Sequence, residues 1–310
     1  MKIAILGFGT IGSGVYEIAR ANGIEVKRVL DVRETGLEMQ TRKIEDIVND
    51  PEIDVVVETM GGERPAYDFV KASMEAGKHV VTSNKALVAA FGEELVALAA
   101  ERNLKFYFEA AVGGGIPIIR VIHECLACDE IESVRGILNG TTNYILTRMA
   151  EDGQNFEDAL AMAQKLGYAE ADPSADVEGW DTCRKTVILG WLFSGKRMDA
   201  KAVPAAGKLM DYKTVPTTGI TQITQEDIAH ARAQGKKIKL IGSFARKADG
   251  SVEASVKPEL IGPDDPLYAV DDVNNAVSVK SKYMGTSMYY GPGAGKRPTA
   301  TAVVADLMHI

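Results

Sequence analysis

The feature that most restricts the fold is an alternation that runs through the first 110 residues. Short β-type runs, KIAIL at 2–6, EVKRVLD at 25–31, DVVVET at 54–59, KHVVTS at 78–83 and KFYFE at 105–109, are separated by helical stretches such as GSGVYEIARAN, RPAYDFVKASMEAG and GEELVALAAERN. Short apolar strands that alternate with helices pair in parallel, because each return through a helix starts the next strand in the same direction. Both faces of such a sheet are then covered.

The first strand runs into GFGTIGSG, which spaces Gly7, Gly9 and Gly12 as G-x-G-x-x-G. Glycine-rich turns are common, but this one lies between a strand and a helix, as a dinucleotide site requires. Gly7 allows the tight turn, Gly9 admits a pyrophosphate to the backbone, and Gly12 lets helix and strand pack closely. The phosphates would rest on the helix N-terminus. Asp31, about 20 residues further on, stands where an acid meets the ribose hydroxyls of NAD. Arg33 would instead favour the 2′-phosphate of NADP. With no evident supporter for either residue, both NAD and NADP are expected to serve.

Beyond a second glycine run at 113–115 the pattern changes. Residues 140–195 read as mainly helical, with Asn155 and Gly167 as plausible caps of one helix. From 236 to 290 longer strands follow, KIKLIGSFAR, SVEASVKPEL, NAVSVKS and TSMYYG, and then the loop GPGAG and a last helix from near Pro298. The expected architecture is α/β: a Rossmann-type nucleotide-binding domain over 1–112, completed by 284–310. Inserted in it is an α+β substrate and dimerisation domain, 113–283, with an open mixed sheet.

Composition narrows the function. An apolar fraction of 46% and a charged fraction of 25% suit a globular enzyme, and a net charge of −8 without a basic stripe argues against nucleic acid. No run of about 18 apolar residues offers a membrane span. Three cysteines, Cys125, Cys128 and Cys183, with no secretion signal fit a reducing cytoplasm. Cys125 and Cys128 have redox or metal spacing, but only His123 is near and a structural metal site needs four ligands.

DVEGWDTCRKTVIL, at 176–189, raises a sharper question. Asp181 and Lys185 stand four apart, on one face of a helix whose continuation is almost wholly apolar. A solvated ion pair is the ordinary explanation for such spacing. Charged groups heading a core helix need another.

Several motifs together resemble homoserine dehydrogenases: VVVETMGG, HVVTSNKALVA, FYFEAAVGGGIPII, GILNGTTNYIL, LGYAEADPSADVEGWDTCRK and YYGPGAGKRPTATAVVADL. They follow the family's order and span nearly the whole chain. The resemblance implies reversible NAD(P)-dependent hydride transfer between L-homoserine and L-aspartate 4-semialdehyde, on the way to threonine, methionine and isoleucine. It makes Lys185 the catalytic lysine, Asp181 and Glu170 substrate carboxylates, and Lys85 a second lysine between cofactor and substrate. Gly167 and Gly293 would meet the cofactor through their backbones. Thr10, Ile11, Met60, Gly61 and Ser83 join the glycines, Asp31, Arg33 and Lys85 in the expected cofactor set. Glu109, with the carbonyls of Val112, Gly114 and Ile116, would bind a monovalent cation, sodium or potassium.

The residue chemistry agrees with these roles. Homoserine's ammonium needs a carboxylate, for which Glu170, Asp176 and Asp181 are candidates. No histidine lies in a polar motif, so lysine is left to exchange the hydroxyl proton. The chain is expected to be a homodimer and, ending at Ile310, to lack the amino-acid-binding regulatory domain of many family members. An oxidoreductase acting on another amino or hydroxy acid is the rival enzyme. A catalytically idle NAD(P) sensor is the rival of another class, but it has no reason to keep Lys85, Glu170, Asp181 and Lys185 together.

Overall fold

The computed structural model describes residues 1–194, 208–247, 249 and 251–310. They form two compact units, the first mainly Met1–Ala127 with Ala294–Ile310, the second Cys128–Ser194 with Met210–Gly293.

The first unit opens with β1 (Lys2–Leu6), α1 (Thr10–Ala21), β2 (Glu25–Leu30), β3 (Gln40–Thr41), α2 (Glu45–Val48) and β4 (Val55–Glu58). It continues through α3 (Ala66–Glu75), β5 (His79–Thr82), α4 (Lys85–Glu101) and β6 (Phe106–Tyr107). The strands pair in parallel in the order β3-β2-β1-β4-β5-β6. Strand order reverses between β1 and β4, and in such sheets ligands bind outside the carboxyl ends at that point. Ile3, Ile5, Val55, Val57 and Val81 on one face and Ala4, Val56 and Val80 on the other are all buried, as the continuous apolar runs require.

The second unit begins with β7 (Ile131–Ile137), α5 (Gly140–Asp152), α6 (Phe156–Lys165), α7 (Ser174–Val177), α8 (Trp180–Ser194) and α9 (Gln225–Ala233). It ends with β8 (Lys237–Arg246), β9 (Val252–Ile261), β10 (Asn274–Ser281) and β11 (Gly285–Pro292). These strands form a sheet in the order β11-β10-β7-β8-β9, and α8 lies on β8 and β9. The expected mixed sheet is corrected here: every pairing between its strands is antiparallel. β8 with β9 and β10 with β11 are consecutive strands only a few residues apart in sequence, which is too short for the crossover that a parallel neighbour would need. β7, which the strand pattern did not single out, enters at the centre, antiparallel to both hairpins.

The last helix, α10 (Lys296–Leu307), packs on α1, burying Ala300, Val303, Val304 and Leu307 in the first unit's core. The units therefore divide differently from the 1–112 and 284–310 limits. Residues 113–127 stay with the first unit, where the Glu109 carboxylate holds the N–H groups of Ile118, Ile119 and Arg120. The return begins at Ala294, because 285–292 pairs with β10.

Candidate active site

At the carboxyl end of β1, Gly7 takes φ +89°, and a Cβ on Gly12 would lie 1.9 Å from the Gly7 carbonyl oxygen. Only glycines let this turn close and α1 approach β1. Gly9 caps α1 without a side-chain acceptor. The N–H groups of Thr10, Ile11 and Gly12 thus head a helix end suited to an anion. Met60 packs on Gly7, and Gly61 follows at φ +80°.

Asp31 and Arg33 are not independent. Arg33 donates through Nε (3.1 Å) and Nη2 (3.0 Å) to the Asp31 carboxylate, which also accepts the N–H groups of Arg33 and Phe8. The guanidinium holds this carboxyl well below its ordinary range, against the opposing effect of burial. Each residue is the other's supporter, which the sequence reading lacked. Asp31 also ties the glycine loop to the end of β2.

Beyond β5, Ser83 donates its N–H to the Glu58 carbonyl (3.2 Å). Asn84 caps α4 by accepting the N–H groups of Ala86 and Leu87, so Lys85 is the first residue of a firmly started helix.

The second unit answers the question raised by Asp181 and Lys185. Lys185 is 8% exposed and Asp181 4%. Lys185 Nζ donates to Asp181 Oδ2 (2.7 Å) and to the Leu138 carbonyl (2.7 Å). Asn139, the N-cap of α5, turns its amide nitrogen to Asp176 Oδ1 (2.7 Å) and Asp181 Oδ2 (2.9 Å). Asp176, Asp181 and Lys185 are brought together, and Asn139 is the link that the sequence reading missed. Its signal was present: NGTT places an Asn directly before a helix, where it caps. Glu170 is exposed on the loop after α6, and no hydrogen bond among the described residues joins its carboxylate to this group. Gly167, at φ +79°, closes α6 by donating its N–H to the Gln164 carbonyl while Tyr168 donates to Ala163.

Gly293 follows β11, and a Cβ there would fall 2.0 Å from the side chain of Asn275. Among the described residues that buried amide has no hydrogen-bond partner at either end.

Glu109 is 5% exposed. Burial raises its carboxyl, against the three N–H groups that stabilise the ionised form. Burial, then the Glu109 charge, raise nearby Asp306 to about 7, although Asp306 accepts the Glu109 N–H and the Arg120 guanidinium. The carbonyl of Gly113 accepts the Ile116 N–H, but among the described residues no backbone N–H is donated to Val112, Gly114 or Ile116. Carboxylate and carbonyl oxygens are the donor type a hard cation prefers, although the Glu109 carboxylate already accepts three N–H groups. Cys125 and Cys128 are exposed and free, and no group of three or more His, Cys, Asp or Glu suited to a metal occurs among the described residues.

Comparison with known proteins supplies the family. The homoserine dehydrogenase family model matches residues 117–308, and that of the homoserine dehydrogenase NAD-binding domain matches 7–109. The homoserine dehydrogenase of Bacillus subtilis (strain 168) is 41% identical over 327 residues, covering 100% of this chain and 72% of its own. The chain belongs to the homoserine dehydrogenase family. The crystal structure of a homoserine dehydrogenase from Thiobacillus denitrificans superposes with TM-score 0.91 at 41% identity, over 99% of this chain and 72% of that one. A hyperthermophilic archaeal homoserine dehydrogenase in complex with NADPH gives TM-score 0.82 at 27% identity, over 99% and 96%. The family's enzymes are NAD(P)-dependent oxidoreductases acting on the CH–OH group of homoserine, in keeping with the Rossmann sheet and glycine turn. Among the described residues no helix is long and apolar enough to cross a membrane.

Proposed function

We propose that the Asn139–Asp176–Asp181–Lys185 cluster is where the chain interconverts L-homoserine and L-aspartate 4-semialdehyde, and the buried Asp181–Lys185 pair carries this reading. Such a pair is a poor stabilising device, since well-packed apolar residues often replace one at no cost. Its place at the head of an apolar helix calls for chemistry instead. The bound nicotinamide supplies the hydride acceptor or donor. Lys185, as the neutral amine left when its ammonium gives up a proton, takes the homoserine hydroxyl proton as the carbonyl forms, and as the ammonium returns it in the reverse direction. Asp181 keeps the lysine and the substrate in register, while Asp176 and Glu170 receive the ammonium. Lys85 acts as the second cation. Gly7, Gly9, Thr10, Ile11 and Gly12 hold the pyrophosphate, with Asp31 and Arg33 at the ribose and Met60, Gly61, Ser83, Gly167 and Gly293 around the remainder.

Both NAD and NADP serve in this reading, because the Asp31–Arg33 pair offers an acceptor and a cation from one place. Glu109 with Val112, Gly114 and Ile116 would hold sodium or potassium. Three free cysteines fit a reducing cytoplasm, and a homodimer fits the edge at β11, which is unpaired among the described residues. The test is an assay of the purified protein with L-homoserine and either cofactor. Faster turnover of another amino alcohol or hydroxy acid would point to the rival oxidoreductase, and no turnover despite cofactor binding to a sensor.

A further inference from the structure

Glu58 closes β4 with 0% exposure, in the middle of the parallel sheet. The register pairs it with Thr82 on β5, so the two side chains emerge side by side on one face. Thr82 Oγ1 donates to Glu58 Oε2 (2.5 Å) and accepts the Asn84 N–H (2.9 Å). Glu58 Oε1 accepts the N–H groups of Met60 (2.7 Å) and Gly61 (3.3 Å), and the Asn84 amide (3.3 Å). Asn84 also donates to the Gly62 carbonyl (2.7 Å). All of these donors to Glu58 are neutral. Burial raises the carboxyl, against the hydrogen bonds it receives.

A buried carboxylate with no cation paired to it among the described residues is a costly way to join two strands, since a desolvated charge must be compensated by the groups around it. Two apolar side chains would join β4 and β5 without that cost. What the carboxylate adds is geometry. One arm holds the Met60–Gly61 turn and the other, through Thr82 and Asn84, holds the first turn of α4, where Lys85 begins. We propose that Glu58 is a positioning residue that fixes the Met60–Gly61 cofactor turn and the Lys85 helix start relative to each other. The role rests on the functional reading above and assigns to it a residue that touches neither substrate nor cofactor.

The test compares the parent with Glu58→Gln and Thr82→Val. Gln keeps the volume of Glu but cannot accept on both arms, and Val removes only the hydroxyl. Each protein is studied below its own melting temperature, by fluorescence titration with NADPH or NADH, whichever the parent binds, and by kinetics with L-homoserine. Misplacement of reacting groups by 1 Å can cost about 100-fold. Glu58→Gln should therefore weaken cofactor binding about 10-fold and lower kcat about 10- to 100-fold, with Thr82→Val smaller in the same direction. KM for homoserine at saturating cofactor should change little, because the expected substrate carboxylates stand on other elements. Variants that melt earlier but match the parent in cofactor Kd and kcat would make Glu58 a purely structural group and overturn the positioning role alone. A folded parent that neither binds the cofactor nor oxidises homoserine would overturn the functional reading, and this role with it.

Discussion

Lys185 is the residue on which most of the chemistry is placed, and it gives the sharpest prediction. Removing a general acid–base group typically costs about 10² to 10⁴ in rate. Lys185→Ala should lose kcat in that range while still binding NADPH, since the glycine turn lies on other elements. Lys185→Arg should fail nearly as badly, because a guanidinium cannot release its proton near neutral pH. A variant that kept more than about a tenth of parental kcat would return the pair to a structural role. Asn139→Ala should lose a helix cap worth about 1 kcal/mol and release Asp176 and Asp181, raising KM for homoserine. A lowered melting temperature with unchanged KM would show that the cap was its whole contribution. At the ribose, Asp31→Ala should shift the NAD to NADP ratio of kcat/KM toward NADP, because it frees Arg33 and removes a negative charge. An unchanged ratio would remove the pair from the cofactor's reach.

At this scale the sequence was legible where spacing along one element sets the contact. Asp181 and Lys185 share one helix face, and Gly7 and Gly12 meet within one turn. Asn139 and Glu58 escaped because the partners that matter, Asp176 and Asp181 for the one and Thr82 and Asn84 for the other, lie far along the chain, where strand register and helix packing decide the contact. Asp31 and Arg33 were read as rivals for a local reason: their pairing depends on how the chain turns after β2.

Elements show the same limit in another form. The first unit's strands were legible because continuous apolar runs between helices have little alternative to a parallel sheet. β7 was harder, since IESVRGI mixes charged residues and a glycine with its apolar ones and the residues it pairs with on β10 and β8 are more than a hundred positions away in sequence. The β10–β11 hairpin carries a pH-dependent fastening. Asp129 accepts the Ser281 hydroxyl and the N–H groups of Tyr283, Met284 and Glu130. Desolvation acts to raise its pKa, but these hydrogen bonds together outweigh it and set the value at about 2. A carboxyl depressed in the folded state contributes stability above its unfolded pKa, and that contribution fades as pH falls through the folded value. Asp129→Asn should therefore melt earlier than the parent at neutral pH, and the gap should close between about pH 4 and pH 2. A constant gap across that range would show that the carboxylate charge contributes nothing. For the glycine loop after β6, Glu109→Gln should weaken activation by sodium or potassium salts. Equal activity of mutant and parent with and without salt would remove the cation site.

For the whole molecule, the remaining question is what lies beside β11. This strand pairs with β10 on one side only, among the described residues, and so presents a row of backbone donors and acceptors. Met288 and Tyr290 on the strand are 42% and 55% exposed, and Tyr283 and Met284 in its hairpin turn 70% and 53%. Isolated exposed apolar residues are ordinary. Four along one hairpin at an open sheet edge are not, because natural edges are usually guarded by charge, proline or cover. A second copy of the chain, meeting this one edge to edge across a two-fold axis, would satisfy the backbone row and bury the side chains at once. Met288→Lys combined with Tyr290→Lys would place like charges on both sides of such a junction. On this dimer reading the double variant should sediment as a monomer where the parent sediments as a dimer, while its NADPH affinity, whose glycine-turn contacts lie in the first unit, stays near the parental value. A dimer that survives both lysines would mean that the copies meet elsewhere and that β11 is covered by some other means.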